Sequence, residues 1–228
     1  MMGMMDIYDE VRHFFENKQT LDDFFESKAI IWVDWREYDE DVIHYFNATM
    51  EQQVEVRLVD NGKPYGDDLL LKNEEKQVQI PYKGEMDRDT TIQCLNAFIQ
   101  PRYEIRLFVE SLGSDTLGFV LLQSDEWATL EKTFGKDTVG YYFVSICFER
   151  KMFDLDVNEV FFLMELRSKN ENTDFAILME WAAISAREKH LITQKETGQI
   201  SLASYLQEKK MIKKLKDAFI KSHEGIRL

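Results

Sequence analysis

Tyr103-Glu104-Ile105-Arg106-Leu107-Phe108-Val109-Glu110 is the stretch on which the fold turns. Its apolar and charged residues alternate, which is the period of a strand that buries one face. Gly113-Ser114-Asp115-Thr116 follows as a turn, and Leu117 to Leu122 is then nearly all apolar. A strand apolar on both sides belongs inside a covered sheet, so this second strand is predicted to be central. A short turn between two strands makes them antiparallel neighbours.

Working toward the N-terminus, Asp87 or Asp89 opens a helix with Ile92, Leu95, Phe98 and Ile99 on one face. It stops near Gln100, because Pro101 disfavours the helical region in the residue before it. Ahead of it lie three short strands. Val54, Val56 and Leu58 alternate with Glu55 and Arg57, Asp60-Asn61-Gly62-Lys63-Pro64 is a turn, and Leu69–Leu71 and Gln77–Tyr82 complete the set. Ala29 to Trp35 is a further β-rich run. Ile7, Val11, Phe14 and Phe15 recur at helical spacing, and Thr20 caps a short helix with Asp22 and Asp23 in its first turn. Asp39 is expected to cap a third helix with Val42, Ile43 and Phe46 inside.

Toward the C-terminus, Ser124 caps a helix bearing Trp127, Leu130 and Phe134, and Gly135 closes it. Tyr141 to Phe148 reads as another buried strand, and after it the strands stop. Asp156 and Glu159 form a capping box. Thr173 caps a helix running to about His190, a loop spans 194–199, and Ser201 caps the last helix. That helix is predicted to set Leu202, Tyr205, Ile212, Leu215 and Phe219 on its apolar face. The element order lacks strict βαβ alternation. It predicts an α+β fold: a largely antiparallel or mixed sheet of about 6–7 strands covered by helices, with about three helices after it. The expected division is a body over 1–150 and a helical subdomain over 151–228, packed on the body or projecting from it.

Composition narrows the function. Hydrophobic residues make up 44% of the 228, enough for a sizeable core, while the net charge is −14. Residues 201–228 carry +4 and residues 1–200 carry −18. So negative a body repels phosphate backbones and attracts basic surfaces, which argues against nucleic-acid binding by the main body. No run approaches the roughly 18 apolar residues of a membrane span, and the start lacks the pattern of a secretory signal, so a cytoplasmic location is expected. Cys94 and Cys147 sit inside apolar patterns as buried thiols, not as a metal pair or a disulfide framework.

Five features bear on chemistry. Glu40, Asp41 and His44 lie within one helical turn, but the second ligand pair of a di-metal site is missing, so they read as an acidic first turn. Glu149-x-Lys151 at a strand end, with Asp137 upstream, has the residue types of a restriction-type nuclease core. There two carboxylates hold Mg²⁺ and a lysine positions water. Gly113 to Gly118 is small and polar enough to cradle an anion, but no phosphate-loop lysine follows, so a hairpin turn is the simpler reading. The last helix, rich in Lys209, Lys210, Lys213, Lys214, Lys216 and Lys221, suits either an outside partner or the chain's own acidic body. Lastly, Trp32, Trp35, Tyr38, Tyr45 and Phe46 stand beside Asp34, Glu37, Asp39, Glu40 and Asp41, which is how an interface for a basic protein is composed; the same aromatics also serve as core residues.

In size, charge and want of a catalytic constellation the chain resembles, in kind, bacterial immunity and antitoxin proteins, which neutralise a partner by charge and shape. The leading expectation is a non-enzymatic module of bacterial or phage type that binds a basic protein and needs no cofactor or metal. The alternatives are a metal-dependent nuclease using Asp137, Glu149 and Lys151, and a self-assembling protein joined through its C-terminal helices.

Overall fold

A computed structural model describes residues 6–62, 66–146, 151–153 and 155–228. The chain divides into two compact units, Met1–Leu155 and Asp156–Leu228. The α+β class is as expected.

The first unit begins with α1 (Ile7–Phe15) and α2 (Leu21–Phe25), then β1 (Ile31–Asp34) and α3 (Asp39–Asn47). Thr20 caps α2 as expected, and the Asp23 carboxylate in turn accepts from the Thr20 N–H, closing a reciprocal box. Next come β2 (Glu55–Asp60), β3 (Asp67–Lys72), β4 (Gln77–Gln79) and α4 (Arg88–Ile99), whose first turn is capped by the Asp87 carboxylate accepting from Thr90 N–H at 2.8 Å. The unit continues through β5 (Tyr103–Phe108), a 3-10 turn at Val109–Ser111, β6 (Thr116–Gln123), α5 (Ser124–Phe134), α6 (Lys136–Tyr142) and β7 (Phe143–Ser145).

Where one sheet of 6–7 strands was expected, the described strands form two antiparallel sheets, one in the order β1-β6-β5-β7 and one in the order β2-β3-β4. The pairing of β5 with β6, Tyr103 opposite Gln123 and Leu107 opposite Phe119, is the one the opening stretch implies, and β6 lies inside its sheet. One face of that sheet carries Phe108, Val120, Leu122 and Phe143 against Phe14, Phe24 and Trp127. On the opposite face Phe119 meets Phe46 of α3 at a ring separation of 6.0 Å. Burial on both faces is why β6 has no polar alternation. Arg106 breaks the expected pattern, because it is buried although its strand neighbours predicted a polar, outward position.

Tyr141 and Tyr142 correct the reading of a strand from 141: they end α6, and β7 starts only at Phe143. A short apolar run does not distinguish a buried strand from the inner side of a helix. Cys147 and the rest of that expected strand's end lie outside the described residues. Gly135, with φ +93°, ends α5 as expected, and α6 follows it directly where no helix was expected.

The second unit is three helices: α7 (Val157–Lys169), α8 (Phe175–Glu196) and α9 (Leu202–Ser222). Tyr205, Ile212 and Phe219 of α9 are buried with Ile184 and Leu191 of α8. These positions recur every seven residues on both helices, the spacing of a narrow coiled-coil seam. The broader face expected on α9 is therefore corrected: Leu202 and Leu215 are exposed.

Candidate functional site

The turn between β1 and α3 carries most of the sequence-derived site. Asp34, the last residue of β1, holds it in shape. Its carboxylate accepts from the Arg36 backbone N–H at 2.8 Å and from the Arg36 guanidinium at 3.0 and 2.9 Å. Those bonds from Arg36 hold the Asp34 carboxyl down at about 2. Trp35 N–H donates to the Asp115 carbonyl at 3.1 Å, tying the turn to the loop before β6. Tyr45, one helical turn or more into α3, donates its hydroxyl to Glu37 Oε2 at 2.9 Å, which fastens the same turn to the helix. That bond, to a carboxylate, keeps the tyrosine in its neutral form and raises its pKa.

On this braced turn Trp35 is 53% exposed and Tyr38 79% exposed. Asp41, His44 and Tyr45 form an exposed stripe along α3, and Glu40 sits 4.0 Å from His44 Nε2. Among the sequence-predicted site residues the structure thus brings Trp35, Glu37, Tyr38, Glu40, Asp41 and Tyr45 to one turn and one helix.

Trp32 and Asp39 are placed differently. Trp32 is half-buried: it stacks on Phe25 at 5.8 Å, and across the β1–β6 pair it lies over Gly118, where an added Cβ would stand 3.1 Å from the ring. Asp39 is 6% exposed and is the first residue of α3, not its cap, the capping position being Tyr38. Its Oδ1 accepts from the Thr91 hydroxyl at 2.6 Å, and the Tyr82 hydroxyl lies 2.7 Å from the same Thr91 oxygen. Burial pushes the Asp39 carboxyl up, against the Thr91 hydrogen bond and the Arg88 charge. Asp39 therefore joins α3 to α4 and is not presented at the surface.

Beside Trp35 opens a cleft of about 420 Å³. Trp35, Phe153, Asp115 and Asp87 line it, with Arg88 at the start of α4. Asp89 holds the far wall, accepting from Met152 N–H at 2.8 Å. The cleft went unread in the sequence. Its signals were present separately, as the Gly113–Thr116 turn and the Asp87 cap, but only the pairing of β1 with β6 brings them together.

No family model, curated protein or solved structure matches this chain.

The nuclease residues fare as follows. Asp137 is exposed in the first turn of α6, ahead of β7 and not on a strand. Lys151 is exposed, and Glu149 lies outside the described residues. Among the described residues no group of three or more His, Cys, Asp or Glu is placed to hold a metal ion, and no helix is long and apolar enough to cross a membrane. Cys94 is buried mid-helix, and burial pushes its thiol up to about 11, so it is no thiolate nucleophile at neutral pH.

Proposed function

We propose that this protein is a binding module whose first unit captures a cationic protein partner on the surface made by Trp35, Glu37, Tyr38, Glu40, Asp41 and Tyr45. The observation that carries the reading is the exposure of Trp35 and Tyr38 on a turn pinned by Asp34 and Glu37. Large aromatics cost least conformational entropy when their backbone is already fixed, and they are the residues that anchor interfaces. The carboxylates around them select partners by sign and speed the encounter. The Arg36 guanidinium already lies 5.8 Å from the Trp35 ring, the geometry a partner's arginine would adopt on the same aromatic surface. Neutralising a partner by charge and shape, as immunity and antitoxin proteins do, fits such a surface.

Selection from a random peptide display library on the full chain tests this. Enriched sequences should be rich in Arg and Lys, and the enrichment should vanish with Glu37→Gln/Glu40→Gln/Asp41→Asn. Enrichment of acidic or uncharged sequences, or indifference to the triple variant, would refute the reading.

A further inference from the structure

We infer that the acidic aromatic surface of the first unit receives α9 from a second copy of this chain. The inference rests on the proposed capture of a cationic protein and names that protein. Residues 201–228 carry +4 against −18 for residues 1–200, so the chain contains its own oppositely charged partner surface.

The details of α9 fit the role. Its seam toward α8 uses Tyr205, Ile212 and Phe219, and the ion pairs along that seam are Lys216 with Glu188 and Glu208 with Arg187, the latter at 2.7 Å. Lys209, Lys210, Lys213, Lys214 and Lys221 are exposed, and among the described residues none of the five makes an ion pair with a carboxylate. Leu206, Met211, Leu215 and Ile220 are exposed beside them. A helix flank that mixes lysines with bare aliphatic side chains matches a surface that mixes carboxylates with bare aromatic rings. The lysines of this hairpin already lie on rings: Lys195 is 4.7 Å from the Tyr205 ring and Lys216 is 5.4 Å from that of Trp181. Trp35 and Tyr38 offer the same contact to the outward lysines. At 1.5 Å per residue α9 is about 30 Å long and α3 about 14 Å, so α3 and its turn cover roughly two to three turns of α9.

Two copies with a net charge of −14 each repel one another at long range. At physiological ionic strength that repulsion is screened beyond about 8 Å, whereas contacts at hydrogen-bond distance are not. Association is therefore local and head-to-tail. Because the two surfaces differ, each copy offers one of each, and the contact closes a ring or extends a chain.

Analytical ultracentrifugation of the full chain tests this, using wild type and two charge reversals, Glu37→Lys/Glu40→Lys/Asp41→Lys and Lys209→Glu/Lys210→Glu/Lys213→Glu/Lys214→Glu. Wild-type mass should rise with concentration at physiological salt and fall toward the monomer near 1 M salt. Each reversal alone should weaken self-association by on the order of tenfold or more, and an equimolar mixture of the two should associate again. Restoration on mixing also shows that both variants are folded. Should either lose its circular dichroism signal, the corresponding Glu/Asp→Gln/Asn and Lys→Gln sets must show the same loss of association. A wild type monomeric at every concentration, or oligomers that survive both reversals, would overturn the inference. A monomer that still binds cationic peptides through Trp35 sinks the second-copy assignment and leaves the proposed function standing.

Discussion

Arg106→Met should be among the most damaging single substitutions in the first unit. The side chain is 8% exposed. Its guanidinium bonds Glu104 at 2.9 and 3.1 Å and Glu131 at 2.8 Å, and lies 4.4 Å from the Trp127 ring. Glu104 also accepts from the Ser145 hydroxyl at 2.7 Å, so one network joins β5, β7 and α5. Removing the cation leaves two carboxylates facing each other without a counter-charge. For a fully buried pair that costs about 3–5 kcal/mol. Glu104 and Glu131 keep 17% and 26% of their side-chain surface, so water recovers part of this and about 2–4 kcal/mol is expected. At about 2–4 °C per kcal/mol for a chain of this size, the melting temperature should fall by roughly 4–16 °C. Urea unfolding followed by near-ultraviolet circular dichroism reads the change. Replacing Arg106, Glu104 and Glu131 together by apolar residues should recover most of it, since well-packed apolar groups match a buried ion network. A loss below about 0.5 kcal/mol for the single variant would put Arg106 at the surface and refute the packing of α5 on β5.

Three further expectations follow from the same geometry. Gly118→Ala sets a Cβ 2.8 Å from Ile30 Cγ2 and 3.1 Å from the Trp32 ring, so urea unfolding should show a loss of about 1–3 kcal/mol with a change in tryptophan emission. Asp39→Asn should flatten the pH dependence of stability: with the folded pKa raised above the unfolded value, stability is full below the unfolded pKa and falls as pH rises through the folded one. Asn keeps the acceptor for Thr91, so the variant should match or exceed wild type at neutral pH in urea titrations across the acidic to neutral range, whereas a wild type that gains stability relative to the variant over that range would contradict the burial of the charge. Cys94, with its thiol at about 11, should resist iodoacetamide at pH 8 until denaturant is added, as read on its own peptide by mass spectrometry.

The regular parts of this fold were legible because local chemistry and packing agree in them. Thr20, Asp156 with Glu159, and Ser201 cap the helices they were expected to cap. The all-apolar Leu117–Leu122 is central for the reason its composition implies. What was not legible depends on partners distant in sequence. Arg106 reads as a solvent-facing residue until Glu131 and Trp127 come over it. Asp39 reads as a cap until Thr91, 52 residues later, takes its carboxylate inside. Gly118 gives no sign that it makes room for Trp32 across the strand pair. For α9, a broad apolar face and a seam of period seven look alike in one helix, and only the matching period of Ile184 and Leu191 in α8 separates them. Of the candidate site, the company of aromatics and carboxylates was readable, but which aromatics stay exposed was not: Trp35 and Tyr38 do, whereas Trp32 is half-buried and Phe46 fully buried. The cleft beside Trp35 was not readable either, because β1, the loop before β6 and the start of α4 meet only in the fold.

The most direct test of the account is the affinity of the full chain for one library-selected cationic peptide, compared between two triple variants of equal charge. Glu37→Gln/Glu40→Gln/Asp41→Asn alters the proposed surface, and Asp22→Asn/Glu74→Gln/Glu75→Gln removes three exposed acids elsewhere in the first unit. A specific surface at Trp35 and Tyr38 predicts a loss on the order of tenfold or more at physiological salt for the first and near-wild-type affinity for the second. Equal losses in both would mean that the peptide reads only the overall charge of the protein and would contradict a specific surface at Trp35 and Tyr38.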